Sequence, residues 1–103
     1  MTIKIDNFED HCTIKIDQDL TIYEVDEYRK QLLEKCDLNH SATVELSDEV
    51  ELDTAGIQLL ISLQKQLQAT GGDLTVCTTS VQAINLFAVF NLSSQFKLTD
   101  RAF

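Results

Sequence analysis

No stretch of this 103-residue chain comes near the roughly 20 apolar residues a membrane span needs. The first residues, Met1-Thr2-Ile3-Lys4-Ile5-Asp6, alternate in character and lack the charged start and apolar block of a signal peptide. A cytoplasmic protein without membrane insertion is therefore expected. Basic residues are scarce: 8 Lys and Arg stand against 17 Asp and Glu, a net charge of −9. Phosphate backbones and anionic lipid surfaces repel such a surface, so direct nucleic-acid binding is not expected. A protein partner with a basic face suits it better, and the same acidity keeps a small domain soluble.

Cysteine is sparse and badly spaced for chemistry. Cys12, Cys36 and Cys77 are odd in number and far apart, with no CxxC, so neither a zinc site nor a thioredoxin-type motif is supported. Each falls among apolar neighbours, where a thiol acts as a small, inert core residue. Of the three glycines, Gly71-Gly72 end a helical pattern rather than begin one, so no phosphate-cradling loop exists. No nucleophile elbow is present. His11 and His40 lie in loops without a partner at motif spacing. The acidic run Asp48, Glu49, Glu51 and Asp53 lacks the calcium-loop spacing and reads as a solvated rim. No catalytic residue, metal or cofactor is expected.

What the chain does have is alternation of strand and helix signals over residues 1–103, which fits one domain. Thr2 to Asp6 and Cys12 to Ile16 alternate and read as a hairpin. Thr21-Ile22-Tyr23-Glu24 is a capping box, with the Thr hydroxyl set to accept from the Glu24 N–H and Leu20 placed to staple onto Val25. A helix from about Ile22 to Cys36 follows, with Val25, Tyr28, Leu32 and Cys36 on its apolar stripe and Leu33 widening it. Thr43 to Ser47 is a strand. A long helix runs from Thr54, with Ile57, Leu60, Ile61, Leu63 and Leu67 as a broad apolar stripe and Leu59 near its edge, and is stopped by Thr70-Gly71-Gly72. Asp73 to Thr78 is a strand, and Ser80 caps a last helix carrying Val81, Ile84, Leu86, Phe87 and Phe90, ended by Asn91. Leu92, Phe96 and Leu98 remain for packing, with a short strand at 96–98. The sum is an α/β domain: a four- to five-stranded mixed sheet with three to four helices.

The centre of interest is Val50-Glu51-Leu52-Asp53-Thr54-Ala55-Gly56-Ile57, where a strand passes, without a proline, into the long helix. A helix start carries unpaired N–H groups and partial positive charge, a good seat for a phosphate. Thr54 therefore reads as a phosphorylation or docking residue. The plainer alternative is that Asp53 or Thr54 simply caps the helix. Gly56 is suited to close approach of a partner's backbone.

The chain resembles the STAS domain, the family of anti-sigma factor antagonists. The resemblance runs from Leu20-Thr21-Ile22 through Val44-Glu45-Leu46-Ser47 and Leu52-Asp53-Thr54-Ala55-Gly56 to Gly71-Gly72-Asp73-Leu74 and Phe90-Asn91-Leu92. It implies helices packed mainly on one face of the sheet. It further implies a non-enzymatic partner switch: an anti-sigma factor that is also a serine/threonine kinase phosphorylates Thr54, binds only the unmodified form, and a phosphatase resets the cycle. Asp53, Thr54, Ala55, Gly56, Gln58 and Asp19 would then form the partner surface. Two departures stand out. The commoner motif is Asp-Ser-Ser-Gly, here Asp-Thr-Ala-Gly, and the usual Gly-Glu-Leu before the first helix is Gln18-Asp19-Leu20. The variant motif also resembles the small STAS subunit that braces the ATPase of a phospholipid ABC transporter. A third resemblance is to stand-alone STAS proteins associated with chemotaxis or two-component signalling, which implies a chemotaxis kinase as partner, and a module with a small-molecule or nucleotide ligand is a further alternative for this chain.

Overall fold

The computed structural model describes residues 3–36, 40–90 and 97–99, the last three by backbone alone. The elements run β1 (Lys4–Asn7), β2 (His11–Ile16), α1 (Val25–Lys35), β3 (Ser41–Leu46), α2 (Thr54–Gln68), β4 (Leu74–Thr78), α3 (Val81–Val89) and β5 (Lys97–Thr99). The sheet has five strands in the order β1-β2-β3-β4-β5. β1 pairs antiparallel with β2, as the hairpin pattern predicts; the remaining pairs are parallel. Each parallel step moves one strand further in the same direction. With right-handed crossovers, every connecting helix then falls on the same side.

Burial follows from that one-sidedness. The register aligns Cys12 with Ala42 and Leu74, Ile14 with Val44 and Val76, and Ile16 with Leu46 and Thr78. All nine are buried. Their out-of-phase neighbours Thr13, Thr43 and Thr75 line up across the other face and are only half-buried. From the helical side Val25, Tyr28, Leu32, Ile57, Leu60, Leu67 and Phe87 close the core.

Helix boundaries and faces differ from the sequence reading in places. α1 begins at Val25 rather than Ile22, because Thr21 to Glu24 form a turn instead: the Glu24 N–H donates to the Thr21 carbonyl at 2.9 Å. Only the reciprocal arm of the capping box forms, the Thr21 N–H donating to Glu24 Oε1 at 3.0 Å. The Thr21 hydroxyl donates to that same oxygen rather than accepting from the Glu24 N–H. Leu33 is 61% exposed, so it does not widen the stripe; Gln31 is buried in its place, its amide donating to Glu27 Oε1. On α3 the sheet-facing positions are Ala83 and Phe87, which leaves Val81, Ile84 and Phe90 exposed. A small residue at 83 lets the helix sit close, and that sets the phase. The expectations for Thr2, the loop at 37–39, Asn91, Leu92, Phe96 and the Leu98 side chain lie outside the described residues.

Helix ends are closed as their sequences require. Asn7 Nδ2 donates to the Lys35 carbonyl at 2.7 Å and so ties the end of α1 to the β1–β2 hairpin. Gly71 takes φ +85°, and the N–H groups of Gly71 and Gly72 return to the carbonyls of Gln68 and Leu67, a Schellman closure of α2. Ser80 caps α3 by accepting from the Ala83 N–H at 3.2 Å.

Among the described residues, a polar group is left over on the helical side of the core. Tyr28 is wholly buried and its hydroxyl has no hydrogen-bond partner. Burial, with Glu24, Asp17 and Asp19 nearby, pushes its pKa up to about 12. Above pH ~10 the unfolded chain gives up this proton while the folded protein keeps it, so folding stability falls as pH rises from there towards 12. Tyr28→Phe should therefore cost under ~0.5 kcal/mol at pH 7. It should also flatten the loss of stability between pH 9 and 11, measured as urea midpoints of both proteins across that range.

Candidate functional site

The C-terminal ends of the parallel strands carry three connections: residues 17–24 after β2, 47–53 after β3, and 79–80 after β4. They are laced together by backbone and short side chains. β2 and β3 part after Ile16 and Leu46, then meet again in a parallel bridge between Leu20 and Leu52. The Leu20 N–H donates to the Glu51 carbonyl at 2.8 Å, and the Glu51 N–H donates to Asp19 Oδ1 at 3.0 Å. Gln82, on the first turn of α3, donates through Nε2 to the Leu52 carbonyl at 2.8 Å. Thr79 donates its hydroxyl to Asp48.

Asp53 holds the centre. Its backbone is extended, and its carboxylate accepts twice: Oδ1 from the Gly56 N–H at 3.0 Å and Oδ2 from the Ile22 N–H at 2.9 Å. The first bond caps α2. The second fastens the lead-in of α1 to that cap. Gly56 is what lets the two approach: a Cβ there would lie 2.2 Å from the Leu20 carbonyl oxygen and 2.7 Å from Leu52 Cδ1. The backbone that comes close to Gly56 is thus the chain's own, and Gly56 is buried. The capping alternative fits Asp53 itself.

Thr54 is the first residue of α2 and is exposed; Gln58, one turn on, is exposed too. Ala55 is half-buried against the core. Asp19 is exposed but holds the Glu51 N–H. Thr54, Gln58 and Asp19 therefore present surface, while Asp53, Ala55 and Gly56 build the support beneath. Two further residues belong to this surface. Ile22 and Tyr23, on the turn that Asp53 secures, are 62% and 90% exposed. Tyr23 is out of phase with the α1 stripe, which makes its exposure legible. Ile22 is in phase and becomes exposed only because the helix starts three residues later.

Among the described residues, no three His, Cys, Asp or Glu side chains converge as metal ligands. A groove between α1 and α2, lined by Leu32, Leu33, Leu59 and Leu63 with Arg29 and Gln66, shares no residue with the Thr54 turn. No helix among the described residues is long and apolar enough to cross a membrane.

Comparison with known proteins agrees with this geometry. The STAS domain family model matches residues 2–101. The crystal structure of a proposed anti-sigma factor antagonist from Thermotoga maritima superposes with a TM-score of 0.81 at 16% identity, covering 96% of this chain and 86% of that one. The anti-sigma factor antagonist SpoIIAA in its unphosphorylated form gives 0.71 at 14% identity, covering 94% and 87%. At these identities the likeness is one of fold. No curated protein shows significant sequence similarity to the chain.

Removing the Asp53 carboxylate should undo both of its bonds. Asp53→Ala is expected to cost ~2–3 kcal/mol in urea unfolding, against ~1 kcal/mol for Asp53→Asn, which keeps one acceptor oxygen. Amide exchange should rise at Ile22 and Gly56 together.

Proposed function

Because the chain belongs to the STAS domain family, we propose that it is a non-enzymatic partner-switching protein of the anti-sigma factor antagonist type. Its partner is an anti-sigma factor that also acts as a serine/threonine kinase, and Thr54 is the residue that kinase phosphorylates. A phosphatase restores the free hydroxyl. The observation that carries this reading is the exposed Thr54 on a turn whose every support is internal. The docking surface combines Asp19, Thr54 and Gln58 with the apolar pair Ile22 and Tyr23. Exposed aromatic and aliphatic side chains on a rigid base are the usual anchors of a protein interface. Around them Asp17, Asp48, Glu49 and Glu51 are exposed acids, which suit a partner surface with a basic rim.

The switch works by charge and desolvation. An interface fitted to a neutral hydroxyl must strip water from Thr54 when it closes. A phosphate adds roughly −1.5 to −2 charge at the same point. Burying that charge without a matched cation costs several kcal/mol, enough to release the partner.

Thr54→Glu should abolish capture of the partner kinase from native lysate, while Thr54→Ala should retain it. An acid at the first turn of α2 favours the helix by ~0.3–1 kcal/mol, so loss of binding would not reflect unfolding. Equal capture by both variants would remove the switch. Co-purification with a transporter ATPase, with Thr54 unmodified by mass spectrometry, would place the chain in the bracing role instead.

A further inference from the structure

We propose that Cys12 and Cys36 form a disulfide when the protein meets a peroxide. Cys12 is the second residue of β2 and is wholly buried, facing the helices. Cys36 directly follows α1 and is half-buried against the same core. Their sulfurs approach to 2.7 Å, although the residues are 24 positions apart. A disulfide bond is about 2.05 Å long, so a shift of well under 1 Å closes it. The placement does not rest on that distance alone. Asn7 lies opposite Cys12 in the β1–β2 register, and the Asn7 amide holds the Lys35 carbonyl. The residue after Lys35 is thereby brought over the start of β2. Cys36 itself is extended, with φ −94° and ψ 132°, so its side chain is not confined by helical geometry. Cys77 cannot compete for Cys12: it aligns with Glu45 and Lys15, out of phase with the core-facing row.

Cys36, the more exposed of the two, reacts first. Its thiolate attacks one peroxide oxygen; an S–O bond forms, the O–O bond breaks, and the departing hydroxide leaves as water after taking a proton. Cys12 sulfur then attacks the Cys36 sulfenic acid; the S–S bond forms, the S–O bond breaks, and a second water leaves. Two thiols lose two electrons to one peroxide, and a dithiol reverses the change. The covalent loop encloses β2, the 17–24 turn and α1. Oxidation therefore braces the segment that carries Ile22 and Tyr23 without touching Thr54.

The test uses the full chain, reduced, desalted, treated with hydrogen peroxide, then unfolded in guanidinium chloride, alkylated with iodoacetamide and digested without reductant. The peptide holding Cys12 should be found linked to the peptide holding Cys36, with the mass lower by two hydrogen atoms and Cys77 alkylated. The thermal midpoint should rise by ~10 °C and fall back with dithiothreitol. Cys77→Ser should behave in the same way; Cys36→Ser should show neither link nor shift. Alkylation of both Cys12 and Cys36 after peroxide would overturn the proposal. So would a Cys36–Cys36 link between two chains, or Cys36 sulfinic acid beside an unmodified Cys12 thiol.

Discussion

Two hydrogen bonds to one carboxylate organise the end of the sheet that carries Thr54. Asp53 accepts from the Gly56 N–H and from the Ile22 N–H, and each bond serves a different element. Helix capping is common, and a cap with one spare oxygen usually turns it to water. Here the spare oxygen holds the neighbouring connection. The start of α2 and the lead-in of α1 thus become one rigid piece, with Thr54 on one side and Ile22-Tyr23 on the other. Gly56 is the steric condition for this: any side chain there would meet the Leu20 carbonyl. The Asp-x-x-Gly spacing is therefore a structural unit whatever its partner does. The acid supplies the acceptor, and the glycine, three residues later, supplies both the capped N–H and the gap.

Strand order sets how the connections run at this end. In open α/β sheets a crevice opens at the strand carboxyl ends where the order reverses, because adjacent connections then leave to opposite faces. This sheet runs β1-β2-β3-β4-β5 without reversal. Its connections leave to the same face and lie side by side, and they bond to one another through Leu20, Glu51, Leu52 and Asp53. Such an edge is suited to contact with another macromolecule.

Much of this was legible in the residues. Period-two alternation located β1 to β4, and the glycine stop located the end of α2, because both signals arise from local backbone preference. The parallel pairing of β3 with β4 is the one a strand–helix–strand succession requires. Less legible were features set by tertiary contact. Ile22 is held by Asp53, a residue 31 positions away, and lies outside the helix, whose first residue is Val25. Leu33, expected on the apolar stripe, is exposed and Gln31 is buried, because the sheet, not the helix, decides which arc is covered. At the site, Asp53 and Thr54 were legible from the turn pattern. The exposure of Ile22 was not, nor was the approach of Cys12 to Cys36, since neither has any sequence-local signal.

The same hydrogen bonds bear on how a phosphate on Thr54 would act. A helix start attracts anions through its unsatisfied N–H groups. In α2 that capacity is partly taken: the Gly56 N–H is held by the Asp53 carboxylate and the Ile57 N–H by the Asp53 carbonyl at 3.0 Å. The N–H groups of Thr54 and Ala55 remain, and a phosphate reaching them would sit next to the Asp53 carboxylate. Internal capture of the phosphate is therefore weak, and the added charge points outward. A modification that folded back onto its own helix would reshape the domain and leave the surface nearly neutral. One that stays outside leaves the Asp53 clamp in place and changes only what a partner meets. The geometry thus favours a switch read at the interface over one read through a change of fold.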